Sequence, residues 1–264
     1  MELAQRSARE APILEFDPTR RAVVEPTNAS PRVDVAEHCV PRFFQEVITK
    51  LCQEHNAKTV TSFKYEDAPH LLHELNVNGD RLAFFHPGIG APMAAALLEQ
   101  VIASGCKKFI ACGSAGVLDK QLAVGRIIVP NAAVRDEGAS YHYLPQSREA
   151  RASPEAVAAI ENVLKQRNTK YFISKTWTTD GPFRETPAKV HTRRAEGCLC
   201  VEMEAAALFA VAQFRNVVFA QLLYSGDDVS GSDWDRRRST EELRTRTAVR
   251  EQLFWLAAEA CLTL

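Results

Sequence analysis

Four carboxylates lie close together in the sequence, around one predicted helix and the predicted strand after it. Glu202 and Glu204 precede a small-residue helix, and Asp227 and Asp228 follow an apolar run typical of a buried strand. Ligands in open α/β sheets bind outside the carboxyl ends of the strands, so these four side chains are candidates for one site. A carboxylate accepts two hydrogen bonds at once, which suits a ligand with two neighbouring hydroxyl groups. Helix capping explains Glu202 and Glu204 equally well, and both interpretations stay open at this point.

The composition excludes several classes of protein. The chain has 264 residues, 46% hydrophobic and 25% charged residues, and a formal net charge of −1. These are ordinary globular values, and they give no general attraction to nucleic acid or to an anionic membrane surface. The basic cluster Arg236–Arg238 is flanked by acidic residues, which favours a solvated, salt-bridged surface. We therefore expect neither a nucleic-acid partner nor a membrane partner.

The cysteines and the apolar runs predict a soluble cytoplasmic protein. Seven cysteines are an odd number, and most have apolar neighbours, as expected for buried thiols in a reducing compartment. No pair has the spacing of a zinc site, and Cys198 and Cys200 are too close for one. Residues 1–20 do not form a signal peptide, and no apolar run approaches the roughly 18 residues of a membrane span.

Strand and helix patterns alternate regularly from residue 81 onward, which predicts an α/β fold. We expect residues 1–38 to be a loop-rich segment with one edge strand near 22–24. Residues 39–264 are expected to form a single three-layer domain, with a mixed central sheet flanked by helices. The predicted helices are 42–54, 68–75, 93–104, 154–166, 187–197, 205–214 and 241–264. The predicted strands are 59–63, 81–86, 108–112, 124–130, 171–178 and 217–224, with strand or loop over 132–143. The helix over 68–75 is predicted from Asp67 as its N-cap and Pro69 in its first turn.

Two segments that contain glycine follow predicted strands and are expected to be loops. They are Gly88–Gly90 and Gly113–Gly116, and the second includes the hydroxyl group of Ser114. Glycine lets backbone N–H groups approach an anion closely. Neither segment matches the dinucleotide-binding fingerprint or the P-loop, so neither predicts a nucleotide cofactor.

Together these motifs resemble the nucleoside phosphorylase superfamily. That group contains hexameric-type purine nucleoside phosphorylases, uridine phosphorylases and related nucleosidases. The resemblance covers roughly residues 80–260, and its most specific part is Val-Glu-Met-Glu-Ala at 201–205. The motifs occur in the family's order: Gly88-Ile89-Gly90-Ala91-Pro92, Gly113-Ser114-Ala115-Gly116, Val134-Arg135-Asp136-Glu137-Gly138-Ala139-Ser140, Val201-Glu202-Met203-Glu204-Ala205-Ala206 and Asp227.

The resemblance implies cleavage of the N-glycosidic bond of a nucleoside. It implies that Glu204 binds the ribose 2′ and 3′ hydroxyls, that Met203 packs against the sugar and that Glu202 orients the nucleoside. Asp227 resembles the general acid that protonates purine N7 as the bond breaks. A carboxylic acid does this at neutral pH only where burial or a neighbouring charge raises its pKa. Asp228 either supplies that charge or is a surface residue at the strand end.

The base pocket is expected around residues 179–185. Phe183 is a candidate to stack on the base and Arg184 to hydrogen-bond it; alternatively they are a turn residue and a surface cation. The Gln-x-Arg pair with which uridine phosphorylases read uracil is not evident. Uracil also has no N7 for Asp227 to protonate. We therefore expect a purine base, with uridine as the alternative. Trp234 belongs either to a segment that closes over the site or to a loop that packs on the last helix.

The phosphate site departs from the family pattern. Family phosphorylases carry an arginine three positions before the Ser or Thr of the second glycine segment, and here that position is Ala111. An alanine cannot replace the bidentate grip of a guanidinium on phosphate. The resemblance still implies phosphate binding by Gly113 and Ser114, with Arg32, or a basic residue of a neighbouring subunit, as the cation. If no cation replaces the arginine, water is the nucleophile and the protein is a hydrolase.

The resemblance also sets expectations about cofactors and assembly. It implies no metal and no organic cofactor, with phosphate as co-substrate and a nucleoside as the other small-molecule partner. Relatives form dimers or hexamers, so we expect a homo-oligomer. A non-catalytic nucleoside-binding protein is the alternative of a different class, although Asp227 argues against it, since binding alone needs no general acid.

Overall fold

The computed structural model describes residues 11–30, 32–66 and 68–264, and ten strands and seven α-helices lie in these ranges. The strands are β1 (His38–Pro41), β2 (Lys58–Lys64), β3 (Pro69–Val77), β4 (Asp80–Phe85), β5 (Lys108–Val117), β6 (Ile127–Asp136), β7 (Glu149–Arg151), β8 (Tyr171–Thr179), β9 (Cys198–Glu202) and β10 (Val218–Asp228). The helices are α1 (Pro26–Ala29), α2 (Gln45–Glu54), α3 (Ala91–Ser104), α4 (Pro154–Gln166), α5 (Pro187–Ala195), α6 (Ala205–Arg215) and α7 (Thr240–Leu262).

Strand β5 is the branch point of the sheet. It pairs in parallel with β10 from Lys108 to Val117. On its other side it pairs first with β1 and then, at its carboxyl end, with β9. The strands β10, β6, β8, β9 and β5 therefore form a closed ring, and β1, β4, β3 and β2 extend from it. Parallel and antiparallel pairs both occur, which confirms the predicted mixed sheet, although the ring closes part of what was expected to be an open sheet.

Helices cover the sheet in packed pairs, α3 against α6 and α4 against α7. Phe219 of β10 packs edge-on against Phe209 of α6, with ring centroids 6.1 Å apart. Phe84 of β4 packs in the same way against Phe254 of α7, at 5.9 Å. All four rings are fully buried, and each contributes about 1.5–3 kcal/mol through burial. The predicted α/β fold with a helix-flanked mixed sheet is confirmed.

Polar residues before the helices fix where several of them begin. Ser239 and Glu242 form a reciprocal capping box at the start of α7. The hydroxyl of Thr186 caps α5 by accepting a hydrogen bond from the Lys189 backbone N–H, 3.4 Å away. Ser153 precedes α4, but its hydroxyl accepts from the Phe219 backbone N–H rather than from the first turn of the helix, at 3.0 Å. It therefore ties the helix start to strand β10.

The helix predicted over 68–75 is wrong, because these residues lie in strand β3 between β2 and β4. The turn after it is Asn78–Gly79, and both residues have positive φ, 54° and 103°. That conformation belongs to a two-residue hairpin turn whose twist matches that of the strands. The hairpin joins Val77 to Asp80 and aligns β3 with β4. The Asn-Gly pair was therefore the stronger signal, and Asp67 lies outside the described residues.

Two other sequence expectations are corrected. The segment 22–24 is not an edge strand, and Val23 and Val24 are exposed there. The segment Gly113–Gly116 is not a loop, because β5 continues through it to Val117. The glycines within this strand allow neighbouring parts of the same chain to approach it closely, and they do not form a turn.

Burial accounts for the cysteines. All seven thiols are free, and all but the half-buried Cys52 are buried, as predicted. Within the described ranges, no helix combines the length and the apolar character needed to cross a bilayer. Nor do histidine, cysteine, aspartate and glutamate side chains gather there in a group of three or more that could hold a metal ion.

Candidate active site

Strands β5 and β10 bring Ser114 and Asp227 to the same edge of the sheet. Their parallel register pairs Ser114 with Tyr224, so Asp227 lies three residues further along β10. Gly226 lies so close to β5 that a Cβ there would be 3.2 Å from the Ala115 carbonyl oxygen. A side chain at this position would crowd β5, so glycine allows the two strands to pack closely at this end of the sheet.

Glu202 is held entirely by protein groups. One carboxylate oxygen accepts from the Thr178 hydroxyl at 2.6 Å, and the other accepts from the backbone N–H groups of Glu204 and Ala205, at 2.8 and 2.7 Å. The side chain thus satisfies free donors at the start of α6. This is the capping interpretation that the sequence left open. Contact between Glu202 and a nucleoside stays a prediction.

Glu204 contacts the first glycine segment, Gly88–Gly90. Its Oε1 accepts a hydrogen bond from the Gly90 backbone N–H at 2.6 Å. Burial, together with the negative charge of Glu202, raises the pKa of Glu204 to about 8. A carboxyl group that is largely protonated near neutral pH can donate as well as accept hydrogen bonds. Met203, between the two glutamates, is half-buried. Its contact with a sugar stays a prediction.

Asp227 lies in the wall of a cavity of about 320 Å³. Its Oδ2 accepts a 2.6 Å hydrogen bond from the indole Nε1–H of Trp234. The aromatic and apolar part of the wall includes Phe183, Val229 and Trp234. Trp234 therefore belongs to the segment beside the site. The cavity combines aromatic surfaces with carboxylates, as a pocket for a flat polar ring requires.

The structure separates Phe183 from Arg184. Phe183 lines the cavity and is 94% exposed, so its ring is free to contact a ligand. Arg184 ends a short 3₁₀ turn and is exposed outside the cavity wall. Stacking by Phe183 and hydrogen bonding by Arg184 both stay predictions.

Asp228 is a structural residue rather than a neighbour that charges Asp227. It forms a buried ion pair with Arg237, at 3.0 Å. Burial alone would raise the pKa of Asp228, but hydrogen bonding from Ser230 and the charge of Arg237 lower it overall. The expectation of a surface Asp228 is therefore wrong. In the basic cluster Arg237 is buried and salt-bridged, whereas Arg236 and Arg238 are exposed as expected.

Glu185 is the carboxyl group that the sequence analysis missed. It lines the same cavity as Asp227. Burial and the negative charge of Asp227 raise the pKa of Glu185 to about 7. Glu185 directly follows Phe183-Arg184 in the predicted base pocket. No local sequence pattern indicates, however, that its side chain lies beside the end of strand β10.

The predicted phosphate groups are not gathered within one chain. Arg32 is exposed, and the next residue, Val33, donates its N–H to the Ser104 carbonyl oxygen at the end of α3. Strand β5 begins at Lys108, four residues after Ser104, and runs a further five residues, about 17 Å, to Gly113. Arg32 is thus not brought to Gly113 and Ser114 of its own chain. Phosphate binding by these three residues stays a prediction.

Neighbouring residues make the phosphate region apolar. Ala111 is fully buried. A Cβ at Gly113 would be 3.1 Å from the Phe43 ring. The adjacent Arg42 side chain donates to the Arg250 carbonyl oxygen and lies over the rings of Phe44 and Phe254, at 5.3 and 5.1 Å. Its guanidinium therefore lies against aromatic rings, and its Nε and Nη1 atoms are buried with no hydrogen-bond partner in the described part of the chain.

The motif over Val134–Ser140 has a structural role. The Arg135 guanidinium donates to the Ser140 hydroxyl at 2.8 Å and to the Pro145 carbonyl oxygen at 2.7 Å. It also lies over the Tyr141 ring, 4.2 Å from its centroid. Arg135 thus organises the chain after β6.

Comparisons with known proteins agree with this fold. The family model described as "Phosphorylase superfamily" matches residues 43–259. The chain therefore belongs to the phosphorylase superfamily, and the resemblance seen in the sequence motifs is confirmed.

Two curated relatives and one solved structure define the similarity. The chain is 29% identical over 104 residues to a uridine phosphorylase of Haemophilus influenzae, covering 39% of this chain and 41% of that protein. It is 27% identical over 140 residues to a guanosine phosphorylase of Halorubrum lacusprofundi, covering 53% and 58%. These matches span about half the length of the relatives. A uridine phosphorylase of Vibrio fischeri shares the fold, with a TM-score of 0.75, 20% identity, and coverage of 92% of this chain and all of that one.

Proposed function

We propose that this protein cleaves the N-glycosidic bond of purine nucleosides with phosphate as acceptor, releasing the free base and ribose 1-phosphate. The observation that carries the proposal is the position of Asp227, whose carboxylate lies beside Trp234 in a cavity with an exposed aromatic ring. The family membership of the chain and the two phosphorylases among its relatives support the phosphorolytic reaction.

The chemistry follows from the charge that develops as the bond breaks. The sugar acquires oxocarbenium character, and the base leaves with the electron pair of the glycosidic bond. In the proposal, Asp227 places a proton on purine N7, so that the base departs neutral. Glu204 hydrogen-bonds the 2′ and 3′ hydroxyls, and Met203 packs against the sugar. Glu202 acts through Glu204, because its carboxylate fixes the backbone of residues 204 and 205.

The polar groups of the cavity favour a purine over uracil. Glu185 and Asp227 are carboxyl groups, and the Phe183 ring offers a stacking surface. A protonated carboxyl group donates to purine N7 and, when ionised, accepts from ring N–H groups. Uracil presents one N–H group between two carbonyl oxygens and has no N7. A uracil pocket would therefore need donors, which amide and guanidinium side chains supply better than carboxylates.

Hydrolysis is the second candidate, and the region around Gly113 favours it. Ala111 replaces the family arginine, and the Phe43 ring packs against Gly113. Phosphate binding would then depend on Gly113, Ser114 and a cation such as Arg32 from a neighbouring subunit. Without that cation, the same base protonation would serve a nucleosidase that uses water. The proposal includes a homo-oligomer, dimer or hexamer, acting in the cytoplasm without metal or organic cofactor.

Release of free base from a panel of nucleosides tests the proposal. Inosine, adenosine, guanosine, uridine and methylthioadenosine are each incubated with the purified protein, with and without phosphate. Phosphate-dependent release with ribose 1-phosphate as product is the expected result. Release that ignores phosphate and yields free sugar would favour the hydrolase. Turnover of uridine alone would contradict the purine assignment, and retention of every nucleoside uncleaved would favour a binding role.

A further inference from the structure

The turn that carries Phe183 has little packing of its own to hold it in place. Phe183 is 94% exposed, and the residues on either side of it, Pro182 and Arg184, are exposed as well. Within the turn, the Arg184 backbone N–H donates to the Gly181 carbonyl oxygen at 2.8 Å. A ring with so few neighbours takes its position from the backbone that carries it. The place of Phe183 in the cavity wall is therefore set by the residues that anchor the two ends of the turn.

The first end of the turn is held by the end of strand β6. The Asp180 carboxylate accepts the Gly138 backbone N–H at 2.8 Å. In the other direction, the Asp180 backbone N–H donates to the Asp136 carbonyl oxygen at 3.3 Å. Two hydrogen bonds thus join Asp180, directly after strand β8, to Asp136 and Gly138. The chain therefore enters the turn from a fixed point.

The second end of the turn is held by the Asp136 side chain. Helix α5 begins shortly after the turn, and its Lys189 and Arg193 lie four residues apart on one face. Oδ2 of Asp136 accepts from the Lys189 ammonium group at 3.1 Å and from the Arg193 guanidinium at 3.4 Å. The same oxygen accepts from the Trp177 indole N–H at 3.0 Å. The carboxylate therefore ties the start of α5 to strand β8.

Burial makes this anchor stronger than a surface ion pair. Trp177 is fully buried, and the side chain of Arg193 is only 10% exposed. Both cations also lie over the Trp177 ring, 5.9 Å from its centroid for Lys189 and 5.4 Å for Arg193. Water and salt screen exposed ion pairs, whereas they screen partly buried pairs much less. Loss of the Asp136 carboxylate should therefore loosen the start of α5.

We infer that Asp136 is a positioning residue for the base pocket, and that it holds the turn of Phe183 and Glu185 at the cavity wall by anchoring both ends of that turn. This inference rests on the proposed function, because it takes the cavity as the place where the base binds. Asp136 is not part of the cavity wall, so it acts through the residues that it anchors. The inference gives the motif over Val134–Ser140 a role in substrate binding, in addition to the structural role of Arg135.

The kinetics of base release from inosine and guanosine test the inference in Asp136→Asn. Asparagine keeps an acceptor for the Trp177 indole N–H but loses both ion pairs, so the turn should leave the cavity wall more often. In the proposed reaction, Phe183 contacts the base before and during bond cleavage alike, and such uniform binding affects KM rather than kcat. We expect KM to rise by on the order of tenfold with kcat nearly unchanged, and Asp136→Glu to recover part of the loss.

Lys189→Met and Glu99→Gln complete the series. Lys189→Met removes one cation, at a half-exposed position, and keeps the indole bond, so we expect a smaller rise in KM. Glu99→Gln is the matched control, because Glu99 forms a partly buried ion pair with Arg215, at 2.7 Å, between α3 and α6 and not with the turn. An unchanged KM in both Asp136→Asn and Lys189→Met would overturn the inference. So would an equal rise in Glu99→Gln, since the effect would then be one of overall stability.

Cleavage by trypsin at Arg184 gives a second measurement that does not need turnover. Arg184 is exposed at the end of the turn, so its cleavage in the native protein reports how often the turn opens. We expect Asp136→Asn to be cut after Arg184 on the order of tenfold faster than the wild type, and Glu99→Gln at the wild-type rate. The mass of the fragment that begins at Glu185 identifies the cut.

The two measurements separate the inference from the proposed function. Equal cleavage at Arg184 in Asp136→Asn and the wild type would overturn the anchor. Faster cleavage with an unchanged KM would overturn the link between the anchor and the base pocket. A wild type that releases no base would overturn the proposed function. The inference is then decided by calorimetric binding of guanosine, which Asp136→Asn should weaken by on the order of tenfold and which equal affinities would overturn.

Discussion

The indole N–H of Trp234 donates a 2.6 Å hydrogen bond to Oδ2 of Asp227, across a turn that brings residues seven apart into contact. The turn is closed by two backbone hydrogen bonds between Asp228 and Asp235, at 2.9 and 3.0 Å. The chain after β10 therefore folds back on the strand end. This arrangement keeps the candidate general acid within the cavity wall and supplies it with one fixed donor.

Trp234→Phe removes that donor and keeps an aromatic ring. The hydrogen bond fixes the Asp227 carboxylate in the cavity wall. Without it the carboxylate loses its fixed orientation, so we expect kcat to fall by on the order of tenfold while the free energy of unfolding changes little. Steady-state kinetics and urea unfolding measure both effects, and an unchanged kcat would show that the indole N–H does not position the acid.

Asp227→Asn and Asp228→Asn separate chemistry from stability. Asparagine at 227 cannot deliver a proton, so we expect kcat to fall about 10²- to 10⁴-fold with nucleoside affinity and thermal midpoint nearly unchanged. Asparagine at 228 leaves the buried Arg237 charge unpaired, so we expect the free energy of unfolding to fall by about 3–5 kcal/mol. Steady-state kinetics and urea unfolding of both variants check this contrast. Equal loss of turnover in the folded fraction of Asp228→Asn would contradict it.

Glu202→Gln tests the structural part of the motif. The Thr178 hydroxyl donates to Glu202 and accepts from the Ala206 N–H at 3.0 Å, so a side-chain amide facing it would leave one donor without an acceptor. We expect a loss of about 1–3 kcal/mol in the free energy of unfolding. Urea unfolding at pH 7 measures it. An unchanged stability would mean that the helix start does not depend on this carboxylate, and would favour direct contact with a ligand.

The sequence predicted the elements that have strong local signals. Helices α4 and α5 begin at the predicted residues 154 and 187, and α7 begins one residue before its predicted start at 241. The apolar run that ends at Tyr224 lies in β10. The prediction failed for β3, where a proline was given more weight than the Asn78–Gly79 turn. Capping signals describe only one end of a helix, whereas a hairpin turn fixes two strands at once.

Only part of the candidate site could be predicted from the sequence, because the contacts that build it join residues far apart in the chain. The motif located Glu204 and Asp227, but the hydrogen bond between Glu204 and Gly90 joins residues 114 positions apart. Glu185 could not be recognised, since its pKa depends on Asp227 at the end of another strand. Adjacency in sequence suggested Asp228 as the charged neighbour. Successive residues of a strand point to opposite faces, and Asp228 is instead paired with Arg237.

Glu204→Gln should change how stability depends on pH. The folded-state pKa of Glu204, about 8, lies above that of an unfolded glutamate, about 4.3, so the folded protein holds this proton more tightly. The resulting stabilisation is complete below about pH 4.3 and is lost as the pH rises towards 8. Glutamine does not titrate, and its side-chain oxygen can still accept from Gly90. We therefore expect the variant to be more stable than the wild type at pH 8 and to lose less stability between pH 5 and pH 8.

Urea unfolding at pH 5, 6.5 and 8 measures this difference, with Glu155→Gln as the control for removal of an exposed charge. Parallel curves for Glu204→Gln and the wild type would show that Glu204 is ionised in the folded protein throughout this range.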